Sequence, residues 1–516
     1  MKRFALFLMA LVLLCGASSA EGKGLEMENN SRVFYEIFVG SFSDSDGDGI
    51  GDLRGVINRM DYLNDGDPAS GKSLGVEGIW LTPVFASSTY HKYDVTDFYR
   101  IDPAFGTLED LQELIALCHE RDVKLILDLP LNHTGTNNLW FTRFRNAHLM
   151  NNPSHEYYDF FVWVPEGGKT PAGRRFASLS GTDVLYECNF SDNMPELNYD
   201  NEKVRQAALD VAAYWLDVGV DGFRFDAAKY IYYGEHEANA AFWTWYMDEL
   251  KKISPHIYTV AEVWDGDGII NRYLKAFNCF HFSTSQVDGL IAETALGGDV
   301  NKFTQSTQNY IESIQAINPE AMNIPFIANH DTDRAAGFLT VASGCMQVAA
   351  NLYILSPGSP FIYYGEEIGM KGSRGGANTD ANRRLAMRWG DGDTVRDPTG
   401  STYDTSKFAT VADRENSKGS ILWYYRRLIA LRKANPEIAR GTYTALSFPD
   451  KAGGFLCEWN GSLVGVFHNT TERTQKLDLS VIPDHTFSQI TFIGLGEAFL
   501  DGNILTLEGQ TSAILR

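Results

Sequence analysis

Val220-Asp-Gly-Phe-Arg224-Phe-Asp226 is a short apolar run that ends on a carboxylate, with a cation two residues earlier. Its brevity and aromatic content read as a buried strand. Three more runs end in the same manner. They are Asp128-Leu-Pro-Leu-Asn132-His133, Tyr258-Thr-Val-Ala-Glu262 and Ile324-Pro-Phe-Ile-Ala-Asn-His330-Asp331. Working outward, strand candidates fall at 33–39, 76–81, 124–129, 220–225, 257–262, 279–282, 323–327 and 361–364. Helical periods lie between them at 108–121, 203–218, 238–253, 300–316 and 421–433. Eight strands alternating with helices predict an α/β fold, a (β/α)8 barrel over 31–133 and 199–435. A doubly wound open sheet is the alternative, but no glycine-rich phosphate loop follows the first strand.

Two stretches break the alternation. Residues 134–198 are rich in Trp, Phe, Pro and Gly and too long for a plain loop, so a small inserted domain is expected after the third strand. After Pro436 the helical pattern stops. Runs at 454–459, 463–468 and 488–493, punctuated by Gly, Asn and Asp, predict a C-terminal antiparallel β domain over 436–516.

The chain has 516 residues and a net charge of −22, which argues against nucleic acid or an anionic membrane surface as partner and suits a neutral substrate or bound cations. Lys2 and Arg3, an apolar run over 4–14 and Ser18-Ser19-Ala20 form the pattern of a secretory signal over 1–20. That run is too short to span a bilayer. Cleavage after Ala20 is expected; lipidation at Cys15 is the alternative, giving a cell-surface anchor. The remaining cysteines, Cys118, Cys188, Cys279, Cys345 and Cys457, are odd in number and widely spaced, which disfavours a disulfide framework or a zinc site. Cys118 and Cys345 sit in helix-like apolar patterns and are expected to be buried thiols.

Barrel active sites gather at the C-terminal ends of the strands, so the run-ending carboxylates should converge there. A single one would ordinarily be a helix cap or a loop solvator; four strands delivering ionisable groups to one rim point to chemistry. A pair of carboxyls about 5–5.5 Å apart suits glycoside hydrolysis with retention. Adjacent strands lie about 4.8 Å apart, which matches Asp226 and Glu262 on strands four and five. Arg224 points to the same face as Asp226 and would keep it ionised. Glu262 must hold its proton, which needs an apolar setting that Trp264 could supply.

These segments resemble the signature regions of the α-amylase family of glycoside hydrolases. The resemblance rests on Asp128-x-x-x-Asn132-His133, Gly222-Phe-Arg-Phe-Asp226, Glu262 and Asn329-His330-Asp331. It extends to Gly78-Ile-Trp-Leu-Thr-Pro83, Met194-Pro-Glu-Leu-Asn198 and Gly358-Ser-Pro-Phe-Ile-Tyr-Tyr-Gly365-Glu-Glu367, in family order. The Met194–Asn198 stretch is most similar to a subgroup between oligo-1,6-glucosidases and neopullulanases, which includes extracellular α-amylases. The resemblance implies Asp226 as nucleophile, Glu262 as acid/base and Asp331 as transition-state stabiliser. It also implies substrate contacts from Tyr93, Asp94, His133, Arg224, Lys229 and His330. Ala227 follows the nucleophile where 1,6-specific relatives tend to have Val, which favours α-1,4 bonds. Tyr230 replaces a frequent His beside a second calcium site, and that site is left unassigned. Lys92 replaces a frequent Gly, and Glu196 a common Asp.

Asp44-Ser-Asp46-Gly-Asp48-Gly-Ile50-Gly-Asp52 sets carboxylates at alternate positions with glycines between, a spacing that can wrap a hard cation. It is not an EF-hand, since Gly55 stands where the twelfth-position Glu would be. A solvated acidic turn is the plain alternative. By resemblance the ion is structural Ca2+, with the Ile50 carbonyl as a ligand beside Asp44, Asp46, Asp48 and Asp52. The expected protein is a secreted, monomeric α-glucan hydrolase, an enzyme cleaving α-1,4 bonds of starch and maltooligosaccharides. Neopullulanase, oligo-1,6-glucosidase and glucan-transfer activities are the near alternatives. A non-catalytic binding or transport subunit is the distant one, because such proteins lose catalytic carboxylates.

Overall fold

A computed structural model describes residues 30–340, 343–483 and 485–516. The signal segment and Cys15 lie outside the described residues. Strands β1 (Phe34–Ile37), β2 (Gly78–Leu81), β3 (Lys124–Leu129), β4 (Gly222–Phe225), β5 (Tyr258–Ala261), β6 (Asn278–Cys279) and β7 (Phe361–Tyr363) form one parallel sheet. Its order is β6-β5-β4-β3-β2-β1-β7. These strands are apolar on both faces because one face lines the barrel interior and the other packs under helices. The helices include α1 (Leu53–Asn58), α2 (Leu108–Glu120), α3 (Glu202–Val218), α4 (His236–Ile253), α5 (Val300–Gln315), α6 (Cys345–Ile354) and α7 (Ile421–Lys433). Local chemistry fixes their ends. Thr107 and Asp110 form a capping box at the start of α2, and Gly219, at φ +117°, stops α3 in a left-handed turn.

The seventh strand candidate, 323–327, is not a regular strand. It closes the barrel by accepting bonds from both neighbours: His281 N–H donates to Ile324 O (3.0 Å), and Ser359 and Phe361 N–H donate to Asn323 O (2.9 Å) and Pro325 O (3.0 Å). Pro325 has no N–H to return a bond, so the ladder is one-sided there.

Residues 134–198 form the inserted unit, with a helix at Leu139–Leu149 and a three-stranded antiparallel sheet from Trp163–Pro165, Phe176–Ser178 and Val184–Glu187. A single bridge, His133 to Glu196, ties it to the loop after β3, and another joins Phe161 to Leu197 within it. Past Pro436 the helical pattern does not stop at once. A further short helix runs Pro436–Arg440, with proline at its first turn where no N–H is needed. Beyond it, five strands (order 442–446, 453–459, 462–469, 511–515, 490–494) and three more (475–478, 504–507, 498–501) make the antiparallel C-terminal domain. One face of that larger sheet belongs to the barrel's core, since Tyr443, Phe455, Val464 and Val466 share a single apolar cluster with it. Cys118 is buried as expected, but Cys345 is only half-buried at the start of α6. Among the described residues no helix is long and apolar enough to cross a membrane.

Candidate active site

Alternation along each strand sets the site. Every second side chain points into the barrel, so Phe34 and Glu36 share a column, as do Ile126 and Asp128, and Val260 and Glu262. The lower level is apolar, with Phe34, Trp80, Ile126, Val260 and Phe361 packed together. Gly78 has no side chain because a Cβ there would meet the Phe34 ring at 2.4 Å. The next level up, at the C-terminal ends, is ionisable.

Arg224 is the hub and is fully buried. Its Nη1 donates to both oxygens of Asp128 (2.9 and 3.0 Å) and to Asp226 Oδ1 (2.7 Å), and its Nη2 donates to Glu262 Oε2. One guanidinium thus holds the two carboxyls that strands four and five supply. The turn after β4 also reaches Glu262: Ala227, left-handed at φ +41°, donates its N–H to Glu262 Oε2 (3.3 Å).

A second cluster surrounds His330. Its Nδ1 lies 2.5 Å from Glu36 Oε1, and its Nε2 lies 2.6 Å from the Tyr93 hydroxyl and 3.1 Å from Asp331 Oδ2. Arg384 donates to Asp331 Oδ1 (2.7 Å), and Tyr93 donates to Asp128 (2.9 Å), joining the two clusters.

Five carboxyls therefore face three cations. Burial opposes charge on His330, but Asp331 and Glu36 outweigh it and push its pKa up to about 10, so the ring is cationic at neutral pH. Burial likewise opposes charge on Asp331, yet His330 and Arg384 hold it well below the usual carboxylate range. The carboxyls left short of cations are Asp128 and Glu262, and burial pushes each up to about 7 despite Arg224. Trp264 follows Glu262 by two residues. Its indole stacks on Phe282 at 5.2 Å and is 37% exposed.

A cavity of about 320 Å³ opens onto Asp226, Glu262 and Asp331, walled by Tyr93, His133, Phe190 and Arg384. His133 is buried with neither ring nitrogen partnered among the described residues, and burial lowers its pKa, leaving a neutral ring at the cavity wall. Four expected substrate contacts lie off that wall: Arg224 and His330 are fully buried behind it, and Asp94 and Lys229 are engaged elsewhere. Asp94 accepts from the Ser87 hydroxyl (2.5 Å) and the Thr89 hydroxyl. Lys229 donates to Trp264 O (2.6 Å) and Asp265 (3.1 Å). Glu36 and Arg384 were missed in the sequence. A charged residue inside an apolar strand was a usable signal for Glu36; Arg384 sits in an irregular loop with no periodicity to mark it. Lys92, where glycine is frequent, is left-handed at φ +66° and is tied to buried Asp102 by a 2.8 Å ion pair.

In the acidic loop, ligand atoms of Asp44, Asp46 and Asp48 lie within 4.8 Å of one another. Gly47 and Gly49 take positive φ to make the turn. Burial raises the Asp44 pKa, but the Thr394 hydroxyl and the Gly47 and Gly49 amides bring it below the ordinary value. Three hard oxygen donors fit a hard cation. Asp52 is otherwise engaged: it caps α1 through Gly55 N–H (2.6 Å) and accepts from Ser45 N–H (2.8 Å).

Comparison with known proteins places the chain in a family. Residues 36–441 match the model for the α-amylase catalytic domain. The chain is 34% identical to "Alpha-amylase 3" of Dictyoglomus thermophilum, over 85% of this chain and 84% of that one. It is 31% identical to an oligo-1,6-glucosidase of Bacillus cereus, over 80% and 85%. The solved structure of Eubacterium rectale Amy13B superposes with a TM-score of 0.86 at 30% identity, covering 96% of this chain and 97% of that chain. A barrel rim of converging carboxyls, matched along the whole catalytic span, makes this chain a glycoside hydrolase of the α-amylase family.

Proposed function

We propose that the protein hydrolyses internal α-1,4-glucosidic bonds of starch and maltooligosaccharides by double displacement with retention. Asp226 attacks the anomeric carbon while Glu262 gives its proton to the departing glycosidic oxygen, leaving a covalent glycosyl–Asp226 ester. Glu262, now ionised, takes a proton from water, which attacks the same carbon and releases Asp226. Asp331 offsets the positive charge that develops on the sugar in both steps. Tyr93 and His133, on the cavity wall, meet the hydroxyls of the glucosyl unit under attack, and His330 holds Tyr93 from behind. The observation that carries this reading is one guanidinium holding Asp226 and Glu262 together, with burial pushing Glu262 up to about 7.

The similarity to an oligo-1,6-glucosidase keeps an α-1,6 activity as the second reading. Digesting soluble starch, pullulan and isomaltose, with products resolved over time, separates them. Early release of mixed maltooligosaccharides from starch supports endo action on α-1,4 bonds; release of glucose from isomaltose with starch untouched overturns it. We further propose that Asp44, Asp46, Asp48 and the Ile50 carbonyl hold a structural Ca2+, and that the chain is exported and works as a monomer. N-terminal sequencing of protein from culture medium tests export, and a mature chain beginning at Met1 would contradict it.

A further inference from the structure

A second cavity is larger than the catalytic one. It measures about 780 Å³, against about 320 Å³ at the carboxylates, and lies between the inserted domain, the 230–235 loop and the first turns of α4. That volume falls within the roughly 300–1,000 Å³ of small-molecule sites. Its wall includes Trp163, Tyr230, Tyr232 and Tyr233, with Arg174, Glu187 and Glu196 among them.

Three observations point to an uncharged polyhydroxylated ligand. First, the site is built rather than left over. Glu196, 4% exposed, stands on this wall with its Oε1 accepting from the Asn189 N–H (3.2 Å), a polar group fixed in place by the inserted domain. Second, acidic groups outnumber basic ones on the wall, in a chain of net charge −22, so an anion is repelled. Third, aromatic rings stand beside the polar groups, as binding a sugar with apolar faces and polar edges requires. Tyr230 lies 5.1 Å from Phe190 by ring centroids, and Phe190 lines the catalytic cavity 5.2 Å from His133. Rings on the two walls thus touch each other there.

We infer that this cavity is a second α-glucan-binding site, distinct from the catalytic cleft, that holds a neighbouring stretch of chain. The inference rests on the α-glucan reading above for the identity of the sugar. The test is calorimetric titration of maltoheptaose into the Asp226→Asn protein, whose cleft binds without turnover. Two sites are expected. Ala241→Trp, on an exposed turn of α4, fills the cavity without removing any hydrogen-bonding group, and Tyr233→Ala strips a ring from the loop. Added singly to Asp226→Asn, each should abolish the second site and leave the first within twofold in Kd. One site throughout, or two sites indifferent to both variants, overturns the inference. Failure of the α-glucan reading itself looks different: the unmodified enzyme would leave maltoheptaose intact.

Discussion

Glu262 and Asp226 end adjacent strands, bond to the same arginine and are assigned opposite protonation states. The proton on Glu262 has a testable limit. Its pKa is pushed up to about 7 by burial, so kcat/KM for a maltooligosaccharide should fall about tenfold per pH unit above that value. A profile that stays flat well into the alkaline range contradicts the assignment. Glu262→Gln should lower kcat by roughly 10²–10⁴-fold and remove that alkaline limb, while the melting temperature changes little. Away from the chemistry, Glu366 is buried with its Oε1 accepting from Tyr353 (2.6 Å) and Tyr425 (2.7 Å). Burial raises its pKa from 4.5 to about 7. A carboxyl raised in the folded state contributes stability that is full below 4.5 and is lost as pH rises through about 7. Glu366→Gln should therefore flatten part of the decline in melting temperature across that window. An unchanged pH dependence would show that Glu366 is not buried as described.

At the scale of elements, the sequence was most informative where physics is local. Apolar runs of strand length placed six of the seven paired strands to within two residues, because a strand buried on both faces stays apolar along most of its length. The exception is the two-residue β6, which shares only Cys279 with the 279–282 candidate. The 323–327 run misled because apolar content does not register a missing donor, and Pro325 decides the ladder there. Asp226, Glu262 and Asp331 could be read as strand ends. Arg384 could not, since it reaches Asp331 from a loop 53 residues further along the chain. The acidic loop was legible as a donor pattern, but the diversion of Asp52 into a helix cap was not, because a carboxylate before an apolar turn fits either role. If Asp44, Asp46 and Asp48 hold Ca2+, chelation should lower the melting temperature by several degrees, and added Ca2+ should restore it. Asp44→Ala should reproduce the loss and abolish the response to chelator. A chelator with no effect on either melting temperature or bound metal would contradict the site.

For the whole molecule, the C-terminal domain completes the barrel's packing. Tyr443, Phe455, Val464 and Val466 are part of the main core, and the terminal Arg516 pairs with Glu437 (2.8 Å) just past the barrel. A chain ended after residue 441 spans the catalytic match yet uncovers this apolar face, so it should aggregate or melt far below the full chain. A soluble truncate of full activity would contradict that. The proposed chemistry turns on the order of events at Asp226 and Glu262, and the stereochemistry of the first product reports on it directly. Proton NMR of a maltooligosaccharide digest, recorded before mutarotation, should show the α-anomer of the new reducing end appearing first. If the β-anomer leads, the mechanism is single displacement with inversion, and Asp226 is not the nucleophile.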